Sequence, residues 1–153
     1  MKQFKTLDGK PIANVIDYIK NYLSTRENVE ILIGADSQSY GSRKTVYGVV
    51  IALYNVGKGA HVLCLKESVE MERNLQTRLL TEVWKAIEVA EFLKENGLPQ
   101  PKWIEIDLNP DPKYKSNSVF RQAVGLVEGM GYHARAKHSG CMSTYAANHL
   151  VRV

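Results

Sequence analysis

The sequence predicts an α/β protein in which a mixed five-stranded sheet, three antiparallel strands followed by two parallel additions, is flanked by helices. Two observations lead to this fold class. Three β-branched or aromatic segments, separated by short polar turns, lie within positions 29–65, as in an antiparallel meander. From about position 76, helical apolar periodicity alternates with short apolar runs, which is typical of helices that connect parallel strands. At 153 residues the chain fits a single domain, 1–153.

The N-terminal part predicts a helix over about 11–24, an extension that precedes the sheet. Pro11 suits a first helical turn, where a missing N–H costs no hydrogen bond. Apolar residues then recur at helical spacing, at Ile12, Val15, Ile16, Ile19 and Leu23. The polar run 24–28 ends this helix.

The antiparallel strands are predicted over 29–35, 45–54 and 61–65. The first is a β-branched apolar run that ends abruptly at Asp36. The small polar residues of 37–42, which include Gly41, indicate a turn after it. A second turn is predicted over 55–59, where two glycines occur.

Helices and strands alternate in the rest of the chain. In order, we predict a long helix over about 76–96, a strand over 102–108, a helix from 116 or 117 to about 130, a strand over 132–137 and a last helix over 141–151. Asn96-Gly97 followed by Pro99 supplies the end of the long helix. Because a crossover helix joins parallel strands, the strand over 102–108 can lie beside the first strand.

Composition and segment character exclude several classes of protein. The hydrophobic share of 44% and charged share of 24% exclude disordered, collagen-like and coiled-coil chains. Two cysteines, Cys64 in a core strand and Cys141, exclude a disulfide scaffold and a cysteine zinc cluster. No segment approaches the roughly 18 apolar residues of a membrane span, and the N-terminus lacks a secretory apolar region. We expect a cytoplasmic protein without a membrane partner.

The charge distribution points to a polyanionic partner. The net charge is +4, yet residues 113–153 contain six basic residues and one acidic residue, Glu128, so this third carries +5. A nucleic acid would be attracted to such a surface, and a solvated basic face is the alternative. The candidate nucleic-acid-binding residues are Lys113, Lys115, Arg121, Arg135 and Lys137.

Three carboxylates stand where desolvation of a carboxylate is costly. Asp36 and Asp107 each end an apolar strand, and neighbouring strands would bring them close together. Glu82 borders the apolar stripe of the long helix, whereas Glu88 and Glu95 point outward. Converging carboxylates favour a hard divalent cation, Mg²⁺ or Mn²⁺, over zinc. A structural alternative exists for each: the aspartates bond turn backbone, and Glu82 is a rim residue of an amphipathic helix.

The order of elements, with acids at the end of the first strand, in the long helix and at the end of the fourth strand, resembles the ribonuclease H-like superfamily. More closely, Gly34-Ala35-Asp36-Ser37-Gln38, Asp107-Leu108-Asn109-Pro110 and Tyr145-Ala146-Ala147 are similar to the bacterial YkuK-type family within it. The resemblance implies a metal-dependent nuclease or strand-transfer site, with Asp36, Glu82 and Asp107 as catalytic, metal-binding carboxylates.

The sequence departs from this resemblance near its C-terminus. Superfamily nucleases usually bring a fourth acid from the last helix or the segment before it, but no acid follows Glu128 here. Ser139, His138 and Asn148 are the available ligands, and neutral ligands bind Mg²⁺ less tightly than a carboxylate does.

Three functions follow from these residues. The first is metal-dependent phosphodiester hydrolysis of nucleic acid, with RNA, DNA or a hybrid as substrate. The second keeps the fold as a nucleic-acid-binding module with weak or no catalysis, which the missing fourth acid favours. The third is a small-molecule phosphohydrolase that uses the same carboxylates.

Overall fold

The computed structural model describes residues 3–106 and 117–136, which form a six-stranded mixed sheet and three helices. In chain order the elements are β1 (Lys5–Thr6), α1 (Val15–Ser24), β2 (Val29–Tyr40), β3 (Lys44–Asn55), β4 (Gly59–Glu70), α2 (Leu75–Glu95), β5 (Trp103–Ile106), α3 (Asn117–Gly129) and β6 (Ala134–Ala136). The strand order across the sheet is β1-β4-β3-β2-β5-β6. The predicted fold class, a mixed sheet flanked by helices, is confirmed.

The strand count is the main difference from the prediction, which had five strands. The additional strand is β1, whose Lys5 and Thr6 pair antiparallel with Cys64 and Leu63 of β4. Two residues are too short for any alternation of polar and apolar side chains, so the sequence carried no periodic signal for this strand.

The antiparallel half of the sheet is longer than predicted at one end. The turn expected over 37–42 is wrong, because β2 continues to Tyr40 in unbroken register with β3, from Val29 opposite Asn55 to Tyr40 opposite Lys44. Backbone pairing with β3 satisfies this segment although its side chains are small and polar. The reversal comes at Gly41, whose φ of 61° is the left-handed conformation that glycine adopts without strain.

The parallel half confirms that the first and fourth predicted strands are neighbours. β5 lies parallel to β2, with Ile104 opposite Ile33 and Glu105 opposite Gly34, and β6 lies parallel to β5. Three predicted segments lie outside the described residues: the last two positions of the fourth strand, 107–108, the last position of the fifth strand, 137, and the final helix over 141–151.

The helix predicted from about position 11 begins later. Asn14 caps α1 by accepting a hydrogen bond from the backbone N–H of Asp17, and helical structure starts at Val15. Pro11 instead forms an isolated antiparallel bridge with Lys5. The long helix α2 agrees with its prediction within one residue at each end, with Asn74 as its cap.

The hydrophobic core lies between the helices and one face of the sheet. On β2, the alternate residues Ile31, Ile33 and Ala35 point to this face and pack into one cluster with apolar residues of the three helices. Val50 and Cys64 form a small second cluster. Within the described ranges, no helix combines the length and apolar character needed to cross a membrane.

Candidate active site

Asp36 lies within β2, opposite Gly48 of β3, and is 9% exposed. One of its carboxylate oxygens, Oδ1, accepts a hydrogen bond from the backbone N–H of Ser37 at 2.8 Å. Asp36 therefore bonds local backbone, as the structural alternative proposed, but it does so from a paired strand and not from a turn.

Glu82 lies in the second turn of α2 and is 5% exposed, so it is buried and not a residue of the helix rim. Its Oε2 accepts a hydrogen bond from the hydroxyl of Ser37. Burial of a carboxylate is costly unless donors or a cation compensate it, and the serine hydroxyl is one such donor.

Ser37 thus contacts both carboxylates, with its backbone toward Asp36 and its side chain toward Glu82. Because successive side chains of a strand point to opposite faces, Ser37 is the residue that faces α2, and Asp36 leaves β2 on the other side. The two acids are held next to one residue of the sheet, Asp36 through the chain and Glu82 through a side-chain bond.

The C-terminal end of β5 borders the same place. A narrow crevice is lined by Ala35 of β2, by Glu82 and Val83 of α2 and by Ile104 and Ile106 of β5.

Asp107, the third predicted metal ligand, follows Ile106 in the sequence but lies outside the described residues. In the part of the chain that the structure describes, no group of three His, Cys, Asp or Glu side chains is placed to hold a metal ion. The convergence of all three acids therefore stays a prediction.

Cationic side chains of α2 flank Glu82, and sequence reasoning did not single them out. Arg78, one helical turn earlier, donates from Nη1 to the hydroxyl of Ser39 at 2.9 Å. Lys85 donates to Glu67 Oε2 at 2.7 Å. The spacing of these residues, four before and three after Glu82, places all three side chains toward the sheet and is the signal that could have identified them.

Tyr47 of β3 lies near the charged residues Arg78, Glu82 and Lys85 of α2. Its ring is buried, and the Lys85 ammonium lies 5.2 Å from the ring centroid. Burial raises the pKa of the Tyr47 phenol above its usual value, while a hydrogen bond with Thr81 acts in the opposite direction. The phenol therefore stays neutral at physiological pH.

Of the predicted nucleic-acid-binding residues, two lie in the described part of the chain. Arg121 is exposed on α3. Arg135 of β6 donates to the carboxylate of Glu105, from Nε at 3.1 Å and from Nη2, and its guanidinium lies 5.5 Å from the ring centroid of Trp103. Because Glu105 is buried, at 2% exposure, this ion pair fixes Arg135 on the sheet.

The other predicted residues of the basic surface and of the metal site lie outside the described residues. They are Lys113, Lys115 and Lys137 of the basic surface, and Ser139, His138 and Asn148 among the candidate metal ligands. Their roles stay predictions.

Comparison with known proteins decides the family. A sequence model of the family described as "Ribonuclease H-like" matches residues 12–152. The chain belongs to the ribonuclease H-like family. The match includes every element from α1 to β6 and leaves out β1, the strand that the sequence did not predict. A search of curated proteins found no match.

Proposed function

We propose that this ribonuclease H-like protein is a nuclease that hydrolyses phosphodiester bonds of nucleic acid with Mg²⁺ or Mn²⁺ as cofactor. The observation that carries the proposal is the burial of the Glu82 carboxylate against Ser37, the residue that follows Asp36 in β2. Two buried carboxylates from separate elements lie beside one residue of β2, near the C-terminal end of β5. Burial of a carboxylate is costly unless donors, a cation or an ion pair compensate it, and a bound divalent cation would do so for Asp36 and Glu82.

The residues present fit a hard divalent cation. Asp36 and Glu82 supply carboxylate oxygens, the donors that Mg²⁺ and Mn²⁺ prefer, and Asp107 is the proposed third ligand. Such an ion, when bound, activates a water molecule and stabilises the leaving oxygen of a phosphodiester. The chain's own contribution is to orient the acids: Ser37 holds the Glu82 carboxylate, and the rigid pairing of β2 with β3 fixes Asp36.

The proposed site includes further residues of the C-terminal third. The resemblance to the YkuK-type family supports Asp107 as a catalytic residue and Ser139, His138 or Asn148 as a further ligand. The basic residues Lys113, Lys115, Arg121 and Lys137 would hold the nucleic-acid backbone by neutralising phosphate charge, and Arg135 would contribute less because Glu105 already compensates its charge.

A second candidate function is binding of nucleic acid without hydrolysis. The absence of any acidic residue after Glu128 favours it, because a fourth carboxylate would be missing from the metal site. This candidate predicts salt-sensitive binding of nucleic acid and no metal-dependent turnover.

The deciding experiment is a cleavage assay with labelled RNA, DNA and RNA/DNA hybrid, each with Mg²⁺ or Mn²⁺. We expect the wild-type protein to cleave at least one substrate and Asp36→Asn to lose that activity. Asp17→Asn, at an exposed acid in the first turn of α1, is the matched control and should cleave like wild type. Intact substrates in every reaction would favour the binding module, and cleavage by Asp36→Asn at the wild-type rate would exclude Asp36 from the reaction.

A further inference from the structure

Arg78 has a buried side-chain nitrogen that makes no hydrogen bond within the part of the chain that the structure describes. Its guanidinium donates from Nη1 to Ser39, but Nε is buried and has no hydrogen-bond partner among the described residues. The residue as a whole is half-buried, so part of Arg78 reaches solvent. A guanidinium that is desolvated at one N–H without a partner is poorly satisfied in this state.

The chemistry of the unused donor indicates its ligand. A guanidinium presents its N–H groups as a rigid planar fork that matches the oxygens of a phosphate or a carboxylate. An anion bound at Arg78 would accept hydrogen bonds from Nε and a terminal nitrogen together once the guanidinium rotates to bring Nε out of its buried position. The contact with Ser39 anchors the other nitrogen and limits the loss of side-chain entropy on binding.

The position of Arg78 favours a backbone phosphate of a nucleic acid as the anion, because Arg78 lies beside the candidate active site. Arg78 lies one helical turn before Glu82, and Ser39 lies two residues after Ser37 on the same face of β2. The fork therefore lies beside Glu82 and Ser37, and a nucleic acid bound at this site would bring its backbone phosphates near Arg78.

We propose that Arg78 binds a backbone phosphate of the nucleic acid next to the scissile bond. This inference rests on the proposed function, since it takes a nucleic acid as the ligand of the Asp36 and Glu82 site. It adds a phosphate-binding residue on α2 to a basic surface that the sequence placed in the C-terminal third. The alternative is a purely structural role, in which Arg78 only joins α2 to β2 through its hydrogen bond to Ser39.

The test measures binding of a fluorescein-labelled RNA/DNA hybrid by anisotropy across a salt series, with EDTA present so that no cleavage occurs. Arg78→Gln removes the charge and, because its amide ends two bonds short of Nη1, also the bond to Ser39, and Arg78→Lys keeps the charge but loses the fork. Arg26→Ala is the matched control, because Arg26 is exposed and stacks on Tyr22 near the opposite end of β2.

We expect Arg78→Gln to weaken binding about tenfold and to reduce the logarithmic salt slope by about 0.9 on a duplex. Arg78→Lys should retain most of the slope and bind with intermediate affinity. Thermal unfolding of each variant shows whether the fold is kept. If Arg78→Gln binds the hybrid with the same affinity and the same salt slope as Arg26→Ala, the proposal is overturned and Arg78 has only a structural role.

The same variants separate this inference from the proposed function. Loss of binding in Arg78→Gln, together with no cleavage by the wild-type protein under any metal, would retain the phosphate contact and reject the nuclease. Metal-dependent cleavage by the wild-type protein, together with unchanged binding by Arg78→Gln, would retain the nuclease and reject the role of Arg78.

Discussion

The hydroxyl of Ser37 on β2 donates a hydrogen bond to the buried carboxylate of Glu82 on α2, across 45 positions of the sequence. The backbone N–H of the same serine donates to Asp36. One residue of the sheet therefore orients both acids that the proposed metal site requires. A change at Ser37 should affect the site and the packing of α2 together.

Replacing Ser37 by alanine removes the hydroxyl while the backbone bond to Asp36 stays. We expect a loss of about 1.5 to 3 kcal/mol in the free energy of unfolding, because a buried carboxylate loses a donor. Urea unfolding of Ser37→Ala and Ser37→Thr measures it, with the threonine variant, which keeps a hydroxyl, nearer to wild type. Equal stability of wild type and Ser37→Ala would show that the bond contributes nothing.

Arg135→Ala should destabilise the fold, because the Glu105 side chain is fully buried and would lose its arginine partner. We expect a cost of roughly 3 kcal/mol, measured by urea unfolding. The double variant Glu105→Leu/Arg135→Met should recover most of this loss, because an apolar pair has no charge to desolvate. Stability as low in the double variant as in Arg135→Ala would contradict this explanation.

Cys64 should react slowly with alkylating reagents in the folded protein. Burial raises the pKa of its thiol from 9.0 to about 11, so the reactive thiolate is about a hundredfold rarer than in the unfolded chain below pH 9. Because the pKa of this thiol is higher in the folded state, its contribution to the free energy of unfolding is fully present below pH 9. That contribution is lost as the pH rises from 9 toward 11. Iodoacetamide labelling of a Cys141→Ser variant, with and without urea, measures the difference. Equal rates in the two conditions would contradict the burial of Cys64.

Asn74 should stabilise the N-terminal turn of α2, the turn that precedes Arg78 and Glu82. Its side chain accepts a hydrogen bond from the backbone N–H of Thr77 at 2.9 Å. We expect Asn74→Ala to cost about 1 kcal/mol and Asn74→Ser to cost little, because serine is also a good cap. Thermal unfolding of the two variants checks this prediction. An alanine variant as stable as the wild-type protein would show that the cap is dispensable.

The sequence predicted those parts of the fold that repeat a pattern. The periodicity of α2 was long enough to give its bounds and to place Glu82 at the sheet, and the β-branched run before Asp36 indicated a buried strand. The polar composition of 37–42 misled, because a polar segment becomes a strand when a neighbouring strand supplies backbone partners, and this depends on tertiary structure.

The sequence predicted the acids of the candidate site but not the roles of its neutral and basic residues. Ser37 carries no pattern of its own, and its importance arises only from its contact with Glu82. Arg78 is an ordinary charged residue of a helix in the sequence, and its buried Nε is visible only in three dimensions. Composition also placed the positive charge in the C-terminal third, although Arg135 is held by Glu105.

The proposed metal site is tested most directly by the binding of Mn²⁺ to the purified protein, measured by isothermal titration calorimetry for the wild type, Asp36→Asn, Glu82→Gln and the double variant. If both acids hold one ion, each single variant should lose most of the affinity, and the double variant should lose little more than either single variant. Wild-type affinity in Asp36→Asn or in Glu82→Gln would contradict a shared metal site.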